Sequence, residues 1–390
     1  MTAEPSQFRD ATSRIGIYWT DERFRIDGLS YPGIPMLVDR RTMRHLLVPT
    51  EWLVDLAVVD GRAQSPLTWR TYAYGLRDFL AFSDDHGWDW SAPTEAMIAT
   101  YSNHLAQSGR KRNTVNRAVT IICKFYEWAH ARKFIRTLDL RYEAVRMTQH
   151  GFLAHIVDET KLSARAVVIP RHRRNERLPR FFTKAEQERI IEALSPRDQL
   201  IALWAVNTGA REHEICALRV AQLPSDASYA SRRRVRVPLT KTKGNAPGDL
   251  WVSSWLIDRT FQHVSFFGRR RVMRASEQRG KSIPDNIFLG RWGTPLKPDS
   301  VYNNFKAAIR TLSMDGTFHD LRHTFAITML DALMRRAASA DGPKDGRNPL
   351  LTLQKLMRHA SIQTTMKYLT AREFYLTEID SEHWELPDEE

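Results

Sequence analysis

Cysteine is almost absent from this sequence: 390 residues carry two, Cys123 and Cys216. Both sit within apolar helical patterns and read as small buried hydrophobes, so neither a disulfide framework nor a thiolate metal site is expected. Long hydrophobic runs are missing too. Nothing approaches the ~20 consecutive apolar residues that a membrane helix needs, so no membrane partner is expected. Residues Met1–Asp10 are polar and include Glu4, which does not read as a signal peptide; the expected location is the cytoplasm. There is no internal repeat and no long low-complexity tract. Acid is in short supply, with 45 Asp and Glu against 58 Lys and Arg, a net charge of +13 and a pI near 9.8. Such an excess suits a polyanion, because Lys and Arg contacts release counterions condensed on nucleic acid. Charge alone also fits any basic globular protein.

What is present is ordinary globular material, 42% hydrophobic and 26% charged, in a chain long enough for two domains. Residues 1–43 contain Tyr31-Pro32-Gly33-Ile34-Pro35, which breaks any helix, and an extended arm is expected there. From Pro49 to Ile135 the apolar residues recur at helical spacing. Trp52, Leu53 and Leu56 form one stripe, and Trp69, Tyr72, Leu76, Phe79 and Leu80 form a second. Met97, Ile98, Tyr101 and Leu105 form a third; Val115, Val119, Ile122, Phe125, Tyr126 and Ala129 form a fourth. Four helices making a compact α domain follow from this, with the basic turn Gly109-Arg110-Lys111-Arg112-Asn113 between the last two. Residues 141–180 read as a linker, ending in the basic run Pro170–Arg177. That run is either a solvated charge cluster or a tether that tracks phosphates.

A second domain opens with Thr183-Lys184-Ala185-Glu186, a capping-box pattern ahead of Ile190, Ile191 and Leu194. The period then shifts from helix to strand. Val235, Val237 and Leu239 alternate with Arg236 and Pro238, and Gly244–Gly248 supplies a turn before Leu250 and Val252. This reads as a β-hairpin with Pro238 on a sheet edge. Helices are expected again over 301–312, 318–334, 351–358 and 361–369, and Arg372–Leu376 reads as a short helix able to dock on a neighbouring protomer.

Three segments carry candidate chemistry. In Thr208-Gly209-Ala210-Arg211-Glu212-His213-Glu214 a helix ends and another opens with an Arg; Glu214, three positions on, shares a face with Arg211 and is placed to hold its guanidinium. In His319-Asp320-Leu321-Arg322-His323 the first His and the Arg lie three apart and face the same way. His319 and His323 also have a metal-ligand spacing, but the glutamate of the zinc-protease pattern is missing and Arg322 on the same face repels a cation. His323 reads as a hydrogen-bonded structural histidine. The third segment runs from Arg358-His359 to Tyr368, with Ser361 as N-cap. Taken alone, such a tyrosine is most often a packing residue.

Together, in this order and spacing, Arg211 with Glu214, His319-x-x-Arg322-His323, and His359 followed nine residues later by Tyr368 resemble the tyrosine recombinase (phage integrase) family. The resemblance extends to Thr68–Phe82 and Asn113–Ile135, which look like that family's core-binding domain. It implies a mainly α fold with a small β-sheet: a SAM-like helical core-binding domain plus an α+β catalytic domain. The expected layout is an N-terminal extension over 1–43, the DNA-clamping domain over 44–150, a basic linker over 151–180 and the catalytic domain with its tail over 181–390. It also implies a site-specific recombinase that works on double-stranded DNA as a homo-oligomer, in a tetrameric synapse, without metal or other cofactor. By the resemblance Tyr368 is the nucleophile that forms a 3′-phosphotyrosine. Arg211 and Arg322 clamp the phosphate, His319 and His359 are further donors, and a hairpin lysine protonates the leaving 5′-oxygen. Lys-Thr hairpins in the family point to Lys241; strand alternation does not separate it from Lys243, which points to the same face.

Two departures from the family pattern stand out. Met357-Arg358 stands where Leu-Gly is usual, adding a charge near the site, and the connection Arg335–Asn348 is longer than usual. Alternative readings are a type IB topoisomerase-like enzyme that relaxes DNA as a monomer and a DNA-binding regulator without catalysis.

Overall fold

The computed structural model describes residues 13–59, 65–140, 142–146, 163–167, 178–224, 229, 231–240, 248–266, 269, 272–274, 284–339 and 348–380. The chain divides into two compact units, Met1–Glu176 and Arg177–Glu390. Among the described residues no helix is long and apolar enough to cross a membrane.

The first unit corrects the expectation of an extended arm at the N-terminus. Strands β1 (Ile15–Trp19), β4 (Pro35–Asp39) and β5 (Arg44–His45) form an antiparallel sheet in the order β1-β4-β5, with Ile17 opposite Leu37. Between β1 and β4, the small hairpin of β2 (Arg25–Ile26) and β3 (Leu29–Ser30) turns on Asp27-Gly28, at φ 48° and 79°. Asp-Gly is the pair that tolerates two positive φ angles in a tight hairpin. Pro35 does not obstruct the sheet, because it is the first residue of its strand. Ile15 and Leu37 are buried with the helices.

Four helices follow: α1 (Leu47–Val58), α2 (Pro66–Asp85), α3 (Glu95–Gln107) and α4 (Arg112–Ala131). Pro66 opens α2, where a missing N–H costs nothing. Thr94 caps α3 by accepting from the Met97 N–H. The core is aromatic. Phe79 meets Tyr101 and Tyr126 edge-on at 5.3 and 5.9 Å, and Trp52 meets Phe125 at 5.4 Å, the geometry favoured by ring quadrupoles. The expected linker also holds structure: β6 (Tyr142–Arg146) pairs antiparallel with β7 (Ser163–Val167). The basic run Pro170–Arg177 lies outside the described residues.

In the second unit α5 (Lys184–Glu192) starts with the capping box of Thr183 and Glu186. Helix α6 (Pro196–Thr208) is capped by Ser195 and ends at Gly209, and the short α7 (Glu212–Ala217) follows. Strands β8 (Arg234–Leu239) and β9 (Gly248–Ser253) form the hairpin with Val237 opposite Leu250, burying Val235, Val237 and Leu239 on one face. Its turn, with Lys241 and Lys243, lies outside the described residues. Helices α8 (Ser254–Ser265), α9 (Pro298–Thr311), α10 (Phe318–Ala338), α11 (Pro349–Met357) and α12 (Ile362–Asp380) complete the unit. Trp204 on α6 is fully buried and donates to Thr260 on α8 at 3.0 Å. Cys216 is buried and its thiol is pushed up to about 12 by burial, an inert core residue.

Helix α10 reaches Ala338, so part of the long connection is helical; residues 340–347 lie outside the described ones. Arg372–Leu376 is helical but is not a separate helix. It continues α12, where Tyr375 meets Phe181 at a tilt, 5.6 Å between ring centres, and donates to the Pro179 carbonyl at 3.1 Å, while Arg372 pairs with Asp331 of α10. An apolar stripe that runs past Tyr368 through Ala371 packs this helix against α10 and α11.

Candidate active site

The site grows from the ends of α6 and α11 and the faces of α10 and α12. Gly209 ends α6 in the left-handed region at φ 63°, and a Cβ there would stand 2.5 Å from the Phe325 ring. Only glycine satisfies both the torsion and the close approach. The turn it makes delivers Arg211 to the start of α7. There the Arg211 N–H donates to Glu214 Oε2 and its guanidinium to Glu214 Oε1, both at 2.8 Å.

Arg322 projects from the first turns of α10, started by Thr317 and Asp320, whose side chain accepts from the Thr317 N–H at 2.7 Å. It is one of the largest fully buried side chains. Its fork donates to the Gly209 carbonyl and, at 2.6 Å, to the Met357 carbonyl, so it ties together the C-terminal ends of α6 and α11. Arg358 closes α11 in the left-handed region, φ 54° and ψ 45°. That costs a residue with a Cβ about 1 kcal/mol relative to glycine. Its guanidinium reaches Glu214 Oε2 at 2.7 Å, and its Nε is buried without a hydrogen-bond partner.

Glu214 is wholly buried and carries both Arg211 and Arg358. Burial pushes its carboxyl up, but Arg358, the Arg211 N–H and the Arg211 guanidinium outweigh this and hold it below its usual range. Two guanidinium groups thus share one carboxylate, and a third, Arg322, stands near it without bonding to it. The strain is legible in Arg322, lowered to about 9 by burial and by its neighbours Arg211 and Arg358. A cationic cluster with a single carboxylate among three guanidinium groups suits an anion with several oxygens.

The phenol sits beside it. Tyr368, on α12, is 3% exposed. Its ring lies nearly parallel to that of His359 at 5.8 Å, and its hydroxyl is 2.9 Å from His323 Nδ1. His359 Nδ1 is paired with the hydroxyl of the fully buried Thr365, one turn before Tyr368. His319 stands edge-on to His323 at 4.7 Å. The histidines are held neutral: burial first, then His323 and Arg322, lower His319 to about 4, while burial, Arg322 and Arg211 lower His359 to about 3. Burial also lowers His323. Burial raises the Tyr368 phenol above its usual value, against the pull of Arg322 and Arg211. Among the described residues no group of three or more His, Cys, Asp or Glu is arranged to hold a metal ion.

Arg211, Glu214, His319, Arg322, His359 and Tyr368 therefore meet in one place, and Lys241 lies outside the described residues. Three contacts in the site were not foreseen from the sequence. His323, read as structural, spends its hydrogen bond on the Tyr368 hydroxyl. Arg358, read only as an added charge, pairs with a carboxylate 144 positions away. Thr365 orients His359. No local spacing announces any of these contacts.

Comparison with known proteins adds to this geometry. The model of the phage integrase family matches residues 180–373, and that of the phage integrase N-terminal SAM-like domain matches residues 50–133. Tyrosine recombinase XerC of Listeria innocua is 24% identical over 317 residues, covering 79% of this chain and 88% of the relative. Transposase A from transposon Tn554 of Staphylococcus aureus is 22% identical over 365 residues, covering 88% and 92%. Among solved structures, XerH site-specific recombinase bound to palindromic difH substrate, a post-cleavage complex, aligns with TM-score 0.52 at 17% identity, over 82% of this chain and 81% of that one. A lambda integrase dimer bound to a COC′ core site aligns with TM-score 0.51 at 14% identity, over 87% and 98%. At these identities the two structures speak for the fold.

Proposed function

Since the chain belongs to the phage integrase family and is a tyrosine-type site-specific recombinase, we propose that it cuts and rejoins double-stranded DNA through a 3′-phosphotyrosine on Tyr368. The observation that carries this reading is the convergence of a buried phenol with three guanidinium groups that have a single carboxylate among them, bound by two of the three. A phosphodiester under attack gathers charge on its non-bridging oxygens, and preformed donors stabilise that charge more in the transition state than in the ground state. Arg211 and Arg322 are the clamps in this reading. His359, whose Nδ1 is taken by Thr365, offers Nε2, and His319 adds a second neutral donor.

The Tyr368 oxygen attacks phosphorus, the bond to the 5′-oxygen breaks, and the phosphate stays on the tyrosine. The phenol proton has an acceptor 2.9 Å away in His323 Nδ1, which burial keeps neutral. The leaving 5′-oxygen takes a proton from Lys241, assigned by family resemblance, with Lys243 as the competing lysine. Religation by another strand's 5′-hydroxyl reverses the steps, and the covalent link conserves bond energy meanwhile. Strand exchange needs two duplexes, hence a homo-oligomeric synapse, tetrameric by family resemblance. Integration, excision or resolution of a mobile element or replicon is the expected use.

The test is incubation with duplex DNA from the flanks of the protein's own gene, followed by a search for covalent protein–DNA adducts. Wild type should form them, and Tyr368→Phe should form none while binding DNA nearly as well. An adduct in the Phe variant would move the nucleophile elsewhere; DNA binding without any adduct would favour a regulator. For Lys241→Ala, cleavage should slow by ~10²–10⁴-fold, the scale of lost general-acid catalysis. A 5′-bridging phosphorothiolate, whose thiolate leaves unaided, should restore it. Rescue in Lys243→Ala instead would reassign the acid.

A further inference from the structure

Arg358 stands where its own backbone disfavours it. It ends α11 with φ 54°, at the position where the family pattern has glycine, so something other than local conformation holds an arginine there. Its side chain is only 12% exposed. Nη2 donates to Glu214 Oε2 at 2.7 Å and Nη1 to the Leu356 carbonyl at 2.9 Å. Both terminal nitrogens of Arg358 are thus committed to protein acceptors, and its Nε is buried.

Glu214 is the recipient. Its Oε1 takes the Arg211 guanidinium, while its Oε2 takes both the Arg211 N–H and Arg358. Two consequences follow. Arg358 holds the carboxylate at Oε2 while Arg211 Nη1 is bound at Oε1, so the carboxylate that orients the Arg211 guanidinium is itself fixed. It also divides the charge of Glu214 between two cations. Without it, the carboxylate would neutralise Arg211 alone and weaken its pull on a phosphate oxygen.

We propose that Arg358 is a positioning residue for the phosphate site: by sharing Glu214 with Arg211, it orients the Arg211 guanidinium and keeps its charge available to the scissile phosphate. This rests on the recombinase chemistry proposed above, in which Arg211 contacts that phosphate.

Arg358→Gly is the direct test, because glycine accepts the left-handed backbone and removes only the side chain. Single-turnover cleavage of the duplex that yields adducts with wild type should slow by ~10–100-fold, the scale of a small misplacement of a catalytic group. Affinity for the same duplex should change less than threefold, since other cations hold the DNA backbone. Arg358→Lys, which keeps the charge and one donor to Glu214, should fall between wild type and the glycine variant. Methylguanidinium at millimolar concentration should restore much of the rate to Arg358→Gly and none to Arg211→Ala. A measurement that needs no cleavage is binding of inorganic vanadate to the full-length protein, followed by 51V NMR; Arg358→Gly should weaken it several-fold.

Wild-type cleavage by Arg358→Gly, or a rate lost only in proportion to folded protein and not recovered with methylguanidinium, overturns the proposal. Unchanged vanadate affinity overturns it as well, even if the duplex tested yields no adduct. Absence of adducts in wild type, with vanadate binding weakened in Arg358→Gly, would instead count against the strand-cleavage reading and leave the positioning role standing.

Discussion

Both units bury aromatic rings, but the second also buries a cluster of charges that share one carboxylate. The first fills its interior with rings: Trp52, Phe79, Phe82, Tyr101, Phe125 and Tyr126 are all buried and touch edge to face or at a tilt. The second buries Glu214 and Arg322 outright and most of Arg358, and keeps its histidines neutral by burial. Apolar burial stabilises a fold directly. A buried charge costs desolvation that its partners only partly return. The aromatic unit is thus built for stability, while the charged site gives up stability to stay ready for an anion.

Measurements on the full-length protein can break that comparison. The largest expected effect is on folding. Phe79→Ala in the first unit removes a ring packed against two tyrosines and should cost about 3–5 kcal/mol, read as a lower denaturation midpoint. The cleavage rate constant of the remaining folded enzyme, measured in the cold, should change less than threefold. A parallel fall in rate would show that core packing in the first unit feeds the chemistry.

Arg322→Ala and Arg211→Ala should do the reverse. Loss of a transition-state donor is worth about 2.7–4 kcal/mol, or ~10²–10³-fold in cleavage, while DNA affinity drops far less. An equal loss in affinity and rate would mean that these residues hold only the ground state.

The smallest effect is the pH response of the second unit. His319 and His359 are lowered to about 4 and about 3, chiefly by burial, whereas histidines of the unfolded chain titrate near 6.5. Below pH 6.5 the unfolded state therefore binds more protons, so this stability is full above that pH and is lost as the pH falls toward 4. Acidification from pH 7 to 5 should lower the unfolding midpoint by on the order of 5 °C. Double replacement of His319 and His359 by Gln should flatten the response; an unchanged slope would assign it to other groups.

Much of this was legible in the sequence, for local reasons. Helical stripes, the Thr183–Glu186 capping box and the alternation of the Val235–Leu239 strand are read from a few neighbouring residues, and each corresponds to an element. The β-sheet of residues 15–45 was missed because its pairing joins Ile17 to Leu37. Yet the Asp27-Gly28 turn that directs it was available as a signal.

What the sequence determined by itself is the inventory and its order: a basic chain, an α unit, an α+β unit, and the arginines, histidines and tyrosine whose spacing marks the family. Helix period, turn chemistry and charge are local or additive properties, so they survive without coordinates. Tertiary structure alone decided who meets whom. That Arg358 shares Glu214 with Arg211, that His323 faces the Tyr368 hydroxyl, and that Arg322 ties two helix ends together each depend on contacts between residues far apart in the chain. Such contacts form only when the packing of α6, α10, α11 and α12 brings their ends to one point, and no sequence period encodes that.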